Sequence, residues 1–150
     1  GTIPLAMLKE KIAASGLDVK ITEGHNYDLF SVADLALATS GTVTLEAALC
    51  GLPSVIVYRT SALNAFIARL VINIPNIGLP NIVAGKTIMP ELLQEDFTPE
   101  KLAKTAVELL QPERQAQLQS DLEYMKKRLG EPGAVDRVAQ LILKITEEKK

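Results

Sequence analysis

The chain has 150 residues, 47% of them hydrophobic and 23% charged, and its formal net charge is −2. These values are typical of one folded domain or a large piece of one. The near-neutral charge and the absence of tryptophan argue against a broad nucleic-acid-binding surface, and no apolar run reaches the roughly 20 residues that span a bilayer.

The residue types that most often bind metals are scarce. The single cysteine, Cys50, cannot form an internal disulfide, and its apolar neighbours indicate a small buried side chain. The only histidine, His25, has no second His or Cys with which to share a metal. We therefore predict that His25 binds no metal. No metal site and no cofactor are expected.

The first elements predicted are a helix over Leu5–Ala14, ended by Ser15-Gly16, and a short alternating strand over Val19–Thr22. A loop and a short helix over Asp28–Val32 follow. Gly1-Thr2-Ile3-Pro4 resembles neither a signal peptide nor a natural start, so we expect the chain to begin at a truncation boundary.

The middle of the chain alternates strands and helices. An apolar run over Leu35–Ala38 precedes a small-residue turn and a helix over Val43–Leu49. Ser54–Tyr58 is β-branched and continuous, which is typical of a strand covered on both faces. Leu63–Ile72 is predicted to be a helix that is apolar around much of its circumference.

Helices dominate the C-terminal part. Asn81–Ala84 is predicted to be one more strand, in a proline-rich stretch. Thr98 as N-cap and Pro99 as first residue predict a helix start. Three helices are expected, over residues 99–110, 112–129 and 134–146. The pattern predicts an α/β fold with an incomplete Rossmann-like parallel sheet and a helical tail, divided into residues 1–110 and 111–150 of one domain.

Ser40-Gly41-Thr42 lies between a predicted strand and a predicted helix. Helix N-termini present free N–H groups and the positive end of the dipole, and Gly41 would let a diphosphate approach the backbone closely. Glu46, one turn further on, could accept hydrogen bonds from both hydroxyls of a ribose. Spacing alone leaves two other interpretations open: a simple helix cap for the turn and a solvent-facing charge for Glu46.

Two segments carry a family resemblance. The first is Thr39-Ser40-Gly41-Thr42…Leu45-Glu46…Gly51 to Arg59, which resembles the C-terminal domain of GT-B glycosyltransferases. The second is Gly78-Leu79-Pro80-Asn81-Ile82-Val83-Ala84-Gly85 with Pro90-Glu91-Leu92-Leu93-Gln94, which narrows the resemblance to the lipid-A-disaccharide synthase family of Gram-negative bacteria. The similarity runs from about Val19 to Leu110.

The resemblance implies a reaction. It would transfer 2,3-diacylglucosamine from UDP-2,3-diacylglucosamine to 2,3-diacylglucosamine 1-phosphate, form a β-1,6 disaccharide and release UDP. The partners implied are the UDP-sugar donor and the lipid acceptor, with no nucleic acid. The location implied is cytoplasmic, peripheral to the inner membrane.

The resemblance also assigns site residues. Ser40, Gly41 and Thr42 should face the diphosphate, and Glu46 the ribose. Arg59 would pair with phosphate, although a structural salt bridge is the alternative. Asn81 is the residue implied to be catalytic, with Glu91 and Gln94 lining the same cleft. His25 and Asn26 lie in a loop that could touch uracil, although a plain surface loop fits them as well.

Parts of the family pattern are absent from the sequence. The resemblance places the general base in an N-terminal acceptor domain, so this chain alone is expected to be inactive. The family's first strands would lie between Val19–Thr22 and Leu35–Ala38. Their absence predicts open sheet edges and therefore internal re-pairing, a homo-oligomer or a strand-exchanged dimer.

Alternatives to this assignment remain. Another UDP-sugar GT-B enzyme or an epimerase would share the nucleotide half, but the Leu79-Pro80-Asn81 stretch argues against both. A non-catalytic assembly module is the third possibility.

The apolar residues of the predicted helix at 63–72 could pack against the sheet or an absent domain, or could face a membrane. They are Leu63, Phe66, Ile67, Leu70, Val71 and the nearby Ile74.

Overall fold

A computed structural model describes residues 3–61 and 75–147 of the chain. Within them, three strands form a parallel sheet in the order β1 (Ala36–Thr39), β2 (Ser54–Tyr58) and β3 (Glu91–Leu93). Ala36 lies opposite Ser54, and Tyr58 lies opposite Leu93. Because the strands are parallel, the turns that follow them meet at one edge of the sheet.

Helices precede, connect and follow the strands. A short 3₁₀ helix over Gln94–Asp96 follows β3 directly. The α-helices are α1 (Leu5–Ser15), α2 (Asn26–Val32), α3 (Thr42–Leu49), α4 (Leu79–Ala84), α5 (Pro99–Leu109), α6 (Pro112–Leu129) and α7 (Ala134–Glu147). The predicted α/β class, with a partial Rossmann-like parallel sheet and a helical C-terminal tail, is confirmed.

The central strand β2 is covered on both faces, as its β-branched run predicted. Ile56 is fully buried on one face, in a cluster with side chains of α3, α4 and α6. Val55 and Val57 point to the other face, against Leu109 and Leu118. Burial of each such side chain contributes about 1.5–3 kcal/mol, so β2 is the anchor of the core.

Several predicted boundaries are confirmed because local chemistry decides them. The strand at Ser54–Tyr58 and the helix at Pro112–Leu129 are found with the predicted bounds. The Thr98 side chain accepts a hydrogen bond from Lys101 N at 3.2 Å and so caps α5 as expected. Pro99 occupies the first turn, where its missing N–H costs nothing.

Two predicted strands are wrong. Residues 19–22 are irregular, and in the part of the chain that the structure describes no strand pairs with them. Alternation alone cannot hold a strand without a hydrogen-bonding neighbour. Asn81–Ala84 belongs to helix α4, which has Pro80 in its first turn. A four-residue apolar run does not distinguish a strand from a short helix. The strand that does form nearby, β3, was not predicted.

Internal re-pairing of the sheet is also wrong for the described residues. β1 pairs with β2 on one side, and no described strand pairs with its other side. Helix α1 has no buried residue, and every described side chain of α7 from Ala134 to Thr146 is exposed. Within residues 3–61 and 75–147, the outer sides of both β1 and β3 therefore lack a paired strand, and α1 and α7 lie at the periphery.

The apolar helix predicted over Leu63–Ile72 lies outside the described residues. Among those that are described, no helix combines the length and the apolarity needed to cross a bilayer.

Candidate functional site

The turn between β1 and α3 leaves the N-terminus of α3 open at Gly41. Gly41 is extended, with φ 162°, and no side chain caps the N-terminus of α3. A Cβ added to Gly41 would meet no atom within 4 Å. Since the first N–H groups of a helix lack intrahelical partners, this end of α3 offers donors to a ligand that reaches the backbone.

The hydroxyl residues around this turn differ in their contacts and exposure. Ser40 Oγ donates to the carbonyl of Ile77 at 3.0 Å, and Thr44 Oγ1 donates to the carbonyl of Gly41 at 2.8 Å. Both bonds hold the turn in shape. Thr42 is exposed, and it is the hydroxyl residue of the predicted trio that lies at the surface. Thr44, fully buried, was not singled out from the sequence.

Glu46 lies one turn into α3 and is partly buried. Its Oε2 lies 3.5 Å from the hydroxyl of Tyr27, at the long end of hydrogen-bond distances. Tyr27 belongs to the first turn of α2, so this contact joins α2 to α3. The neighbouring His25 instead contacts Asp28 through Nδ1 and Oδ2 at 3.2 Å, and both side chains are exposed.

Asn81 is 1% exposed, and its side chain is fully engaged. Its Oδ1 accepts the N–H groups of Ile88 and Met89 at 2.8 and 2.9 Å. Its Nδ2 donates to the Met89 carbonyl at 2.8 Å and to Glu91 Oε1 at 2.7 Å. All four hydrogen bonds of the amide are thus made inside the protein.

Glu91 continues this network. Its Oε2 accepts the N–H of Ile77 at 2.9 Å, and its Oε1 accepts the N–H of Gly78 at 3.0 Å. The Ile77 carbonyl in turn accepts the Ser40 hydroxyl. A continuous chain of hydrogen bonds therefore runs from Asn81 through Glu91 and the loop before α4 to the Ser40 turn.

Arg59 and Gln94 join the loops that follow β2 and β3. The Arg59 Nη2 donates to the carbonyls of Gln94, at 3.2 Å, and of Phe97, and the guanidinium lies 5.2 Å from the Phe97 ring centroid. Gln94 adopts a left-handed φ of 50°, and its Oε1 accepts the N–H of Thr60 at 3.3 Å. Both side chains bind backbone of the neighbouring loop.

The predicted residues therefore form three groups, two of them around the turns that follow the strands and one around Glu91, the first residue of β3. Gly41, Thr42 and Glu46 are accessible, with Ser40 behind them. Asn81 and Glu91 form the buried hydrogen-bond network. Arg59 and Gln94 connect the loops that follow β2 and β3. A surface cavity of about 520 Å³, lined by Pro90, Thr105 and Glu108 among others, contains none of these residues in its lining. Within residues 3–61 and 75–147, no cluster of three or more His, Cys, Asp or Glu side chains could hold a metal ion.

Comparison with known proteins decides the family. The family model described as lipid-A-disaccharide synthetase matches residues 5–145. The chain belongs to the lipid-A-disaccharide synthetase family. The match covers all three groups of site residues, together with both core faces of β2.

Curated relatives agree with this assignment. The lipid-A-disaccharide synthase of Syntrophus aciditrophicus is 40% identical over 149 residues, which are 98% of this chain and 39% of the relative. The synthase of Geobacter sulfurreducens is 39% identical over 89% of this chain and 35% of its own length. That of Synechocystis sp. is 41% identical over 91% and 36%. The chain thus spans less than two fifths of each of these relatives.

Proposed function

We propose that this chain forms part of the UDP-sugar side of a lipid A glycosyltransferase. The enzyme would transfer 2,3-diacylglucosamine from UDP-2,3-diacylglucosamine to 2,3-diacylglucosamine 1-phosphate, with a β-1,6 linkage and release of UDP. Family membership supports the reaction. The observation that carries the nucleotide part is the open, uncapped N-terminus of α3 at Gly41, with the Glu46 carboxylate one turn further along the same helix.

The proposed role of this end of α3 is to stabilise the negative charge of the diphosphate. The diphosphate would lie against Gly41 and the first N–H groups of α3, and the Thr42 hydroxyl would add a donor. These groups and the helix dipole favour the negative charge that grows on UDP as the glycosidic bond breaks. Glu46 would accept the two ribose hydroxyls and so fix the nucleoside relative to the helix end.

The buried network gives Asn81 and Glu91 a different role from direct contact. Their polar atoms are engaged with backbone groups and with each other, so we assign them as positioning residues. Glu91, held by Asn81, accepts the N–H of Ile77, and the carbonyl of Ile77 receives the Ser40 hydroxyl. Ser40 would therefore act on the diphosphate through the shape of the turn.

Arg59 and Gln94 are assigned in the same way. Arg59 donates to two carbonyls of the loop after β3, and Gln94 accepts from the loop after β2. The pair would set the spacing of the two loops that border the donor. A guanidinium beside that border would also contribute positive potential to the diphosphate subsite.

The wider context of the site is proposed from the family. Residues 1–110 would form part of the UDP-sugar-binding domain, and residues 111–150 its C-terminal helices, since Leu118, Leu122 and Met125 of α6 pack into the core. The lipid acceptor and the general base would belong to another domain of the whole protein, at the cytoplasmic surface of the inner membrane. This chain alone would then bind the donor without turning it over.

Thermal unfolding with UDP tests the binding. A ligand at 100 times its Kd stabilises the folded state by about 2.7 kcal/mol, so UDP should raise Tm by several degrees. Glu46→Gln should lose most of this shift, because a glutamine accepts fewer hydroxyl bonds than a carboxylate. Glu10→Gln, on the exposed face of α1, is the matched control and should keep it. A wild-type Tm that UDP leaves unchanged overturns the proposal.

A further inference from the structure

The side chain of Tyr27 is held in place without being buried. The residue is 63% exposed, and its hydroxyl lies 3.5 Å from Glu46 Oε2. The Phe30 ring packs against it edge-to-face, with centroids 6.0 Å apart and planes at 84°. Two contacts, one at the hydroxyl and one at the ring, thus orient a side chain that lies outside the core.

The position of this ring follows from the order of the elements. Tyr27 belongs to the first turn of α2, the helix that leads into β1, and Glu46 belongs to α3, the helix that leaves it. The Tyr27 hydroxyl joins the first turn of α2 to the middle of α3, whose N-terminus follows the carboxyl end of β1. The ring therefore lies beside the carboxylate that follows the open Gly41 turn along α3.

We propose that the Tyr27 ring forms one wall of the nucleoside subsite and stacks on the nucleobase of the donor. This inference rests on the proposed function, in which Glu46 accepts the ribose hydroxyls. In a nucleoside, the base is attached to the carbon next to the one that carries the 2′-hydroxyl. A ring that contacts the carboxylate bound to that hydroxyl is therefore within reach of the base.

An aromatic wall suits this ligand. Every nucleobase presents a π-face, and stacking on an aromatic side chain contributes roughly a tenfold to hundredfold gain in affinity. The chain has no tryptophan and three tyrosines, and Tyr27 is the one whose hydroxyl contacts Glu46. The edge-to-face contact with Phe30 would keep the ring oriented before the ligand arrives, which lowers the entropic cost of stacking.

A purely structural role makes a different prediction. If the ring served only to tie α2 to α3, its removal would lower stability and would affect every ligand of the α3 N-terminus alike. A stacking role affects only ligands that contain a base. UDP and inorganic pyrophosphate separate the two, because both carry a diphosphate and only UDP carries the nucleoside.

Calorimetric titration of the 150-residue chain with UDP and with pyrophosphate tests the proposal. Tyr27→Leu should weaken UDP binding about tenfold or more and leave the pyrophosphate Kd unchanged within about twofold. Tyr27→Phe keeps the ring and should stay within about threefold of wild type for both ligands. Tyr124→Phe, on α6, is the matched control for loss of a tyrosine hydroxyl and should not change either Kd.

The outcomes are distinguishable. UDP binding by Tyr27→Leu at wild-type affinity overturns the stacking role and leaves the proposed function intact. Equal weakening of UDP and pyrophosphate also overturns it, in favour of a structural tie between the helices. A wild-type chain that binds neither ligand overturns the proposed function and the role of Tyr27 with it.

Discussion

The amide nitrogen of Asn81 lies 2.7 Å from Glu91 Oε1, and the same Glu91 carboxylate receives the N–H groups of the two residues before α4. This pair therefore ties helix α4 to strand β3 and to the loop between β2 and α4. The carbonyl of Ile77 in that loop also accepts the Ser40 hydroxyl, so hydrogen bonds link this largely buried pair to the Gly41 turn.

Replacement of Asn81 should lower the free energy of unfolding, because its side chain bonds to the protein interior and not to a ligand. Asn81→Leu leaves the N–H groups of Ile88 and Met89 buried without partners, and each such group costs about 1–3 kcal/mol. We expect a loss of about 3–5 kcal/mol in urea-induced unfolding. Asn26→Leu at the exposed start of α2 should stay within about 0.5 kcal/mol of wild type. Wild-type stability in Asn81→Leu, with UDP binding lost, would return Asn81 to a contacting role.

Gly78 and Gly41 should respond differently to the same substitution. A Cβ on Gly78 would lie 2.3 Å from Ile56 Cδ1, whereas a Cβ on Gly41 would meet nothing within 4 Å. Gly78→Ala should therefore cost about 1–3 kcal/mol of stability, because Ile56 is fully buried and cannot move freely.

Gly41→Ala should fold with nearly wild-type stability and bind UDP about tenfold more weakly, since the methyl group would lie where the diphosphate approaches. Urea unfolding and UDP titration of both variants measure the contrast. A Gly41→Ala variant that binds UDP as well as wild type would show that the diphosphate does not approach this backbone.

Asp121 should make the stability of the chain depend on acid pH. Burial raises the pKa of Asp121, but hydrogen bonds from Lys86 and Gln117 outweigh it, and the net pKa lies below the ordinary value of 3.8. A lowered folded pKa means that the stabilisation is present above pH 3.8 and is lost as the pH falls through the folded pKa.

The size of this effect is modest because Lys86, bonded to Asp121 at 2.6 Å, is 53% exposed. Asp121→Asn should cost about 1–2 kcal/mol near neutral pH and much less below the folded pKa. Glu123→Gln, which removes a surface pair with Lys126, should change stability less at every pH. Urea unfolding across acid pH measures this, and a pH-independent penalty for Asp121→Asn would contradict the assignment.

Helix α7 should drive association with a second copy of the chain. Val135, Val138, Leu141, Ile142 and Ile145 lie at helical spacing and are 45–82% exposed. Because an apolar stripe of this kind is stabilised by burial, we expect dimers or larger species in sedimentation equilibrium. Leu141→Lys with Ile142→Lys should shift the equilibrium towards monomer, whereas Gln140→Lys should not. A monomeric wild-type chain over the whole concentration series would contradict this prediction.

The sequence was sufficient to predict those helices and strands whose bounds depend only on neighbouring residues. The Thr98-Pro99 start, the Pro112 start and the β-branched run of β2 are found as expected, because caps, proline geometry and continuous apolar runs act within a few residues. The Ser40-Gly41-Thr42 turn before a helix was predictable for the same reason.

Elements that depend on distant partners were not predictable in this way. The alternation at Val19–Thr22 found no neighbouring strand, and β3 formed because its backbone pairs with β2, from Ile56 opposite Glu91 to Tyr58 opposite Leu93. Strand formation is decided by hydrogen bonds between segments far apart in the chain, which a short sequence window does not contain.

The residues of the candidate site also divide into those that neighbouring residues predict and those that depend on contacts with distant segments. The sequence by itself determined the helix N-terminus, the glycine that leaves it open and the carboxylate one turn on, because these lie within seven residues of one another. Only the tertiary structure decided that Asn81 and Glu91 are turned inward onto backbone groups, that Arg59 binds the loop after β3, and that Tyr27 lies beside Glu46. Those contacts join segments 10 to 38 residues apart, and packing of the helices on β2 brings them together.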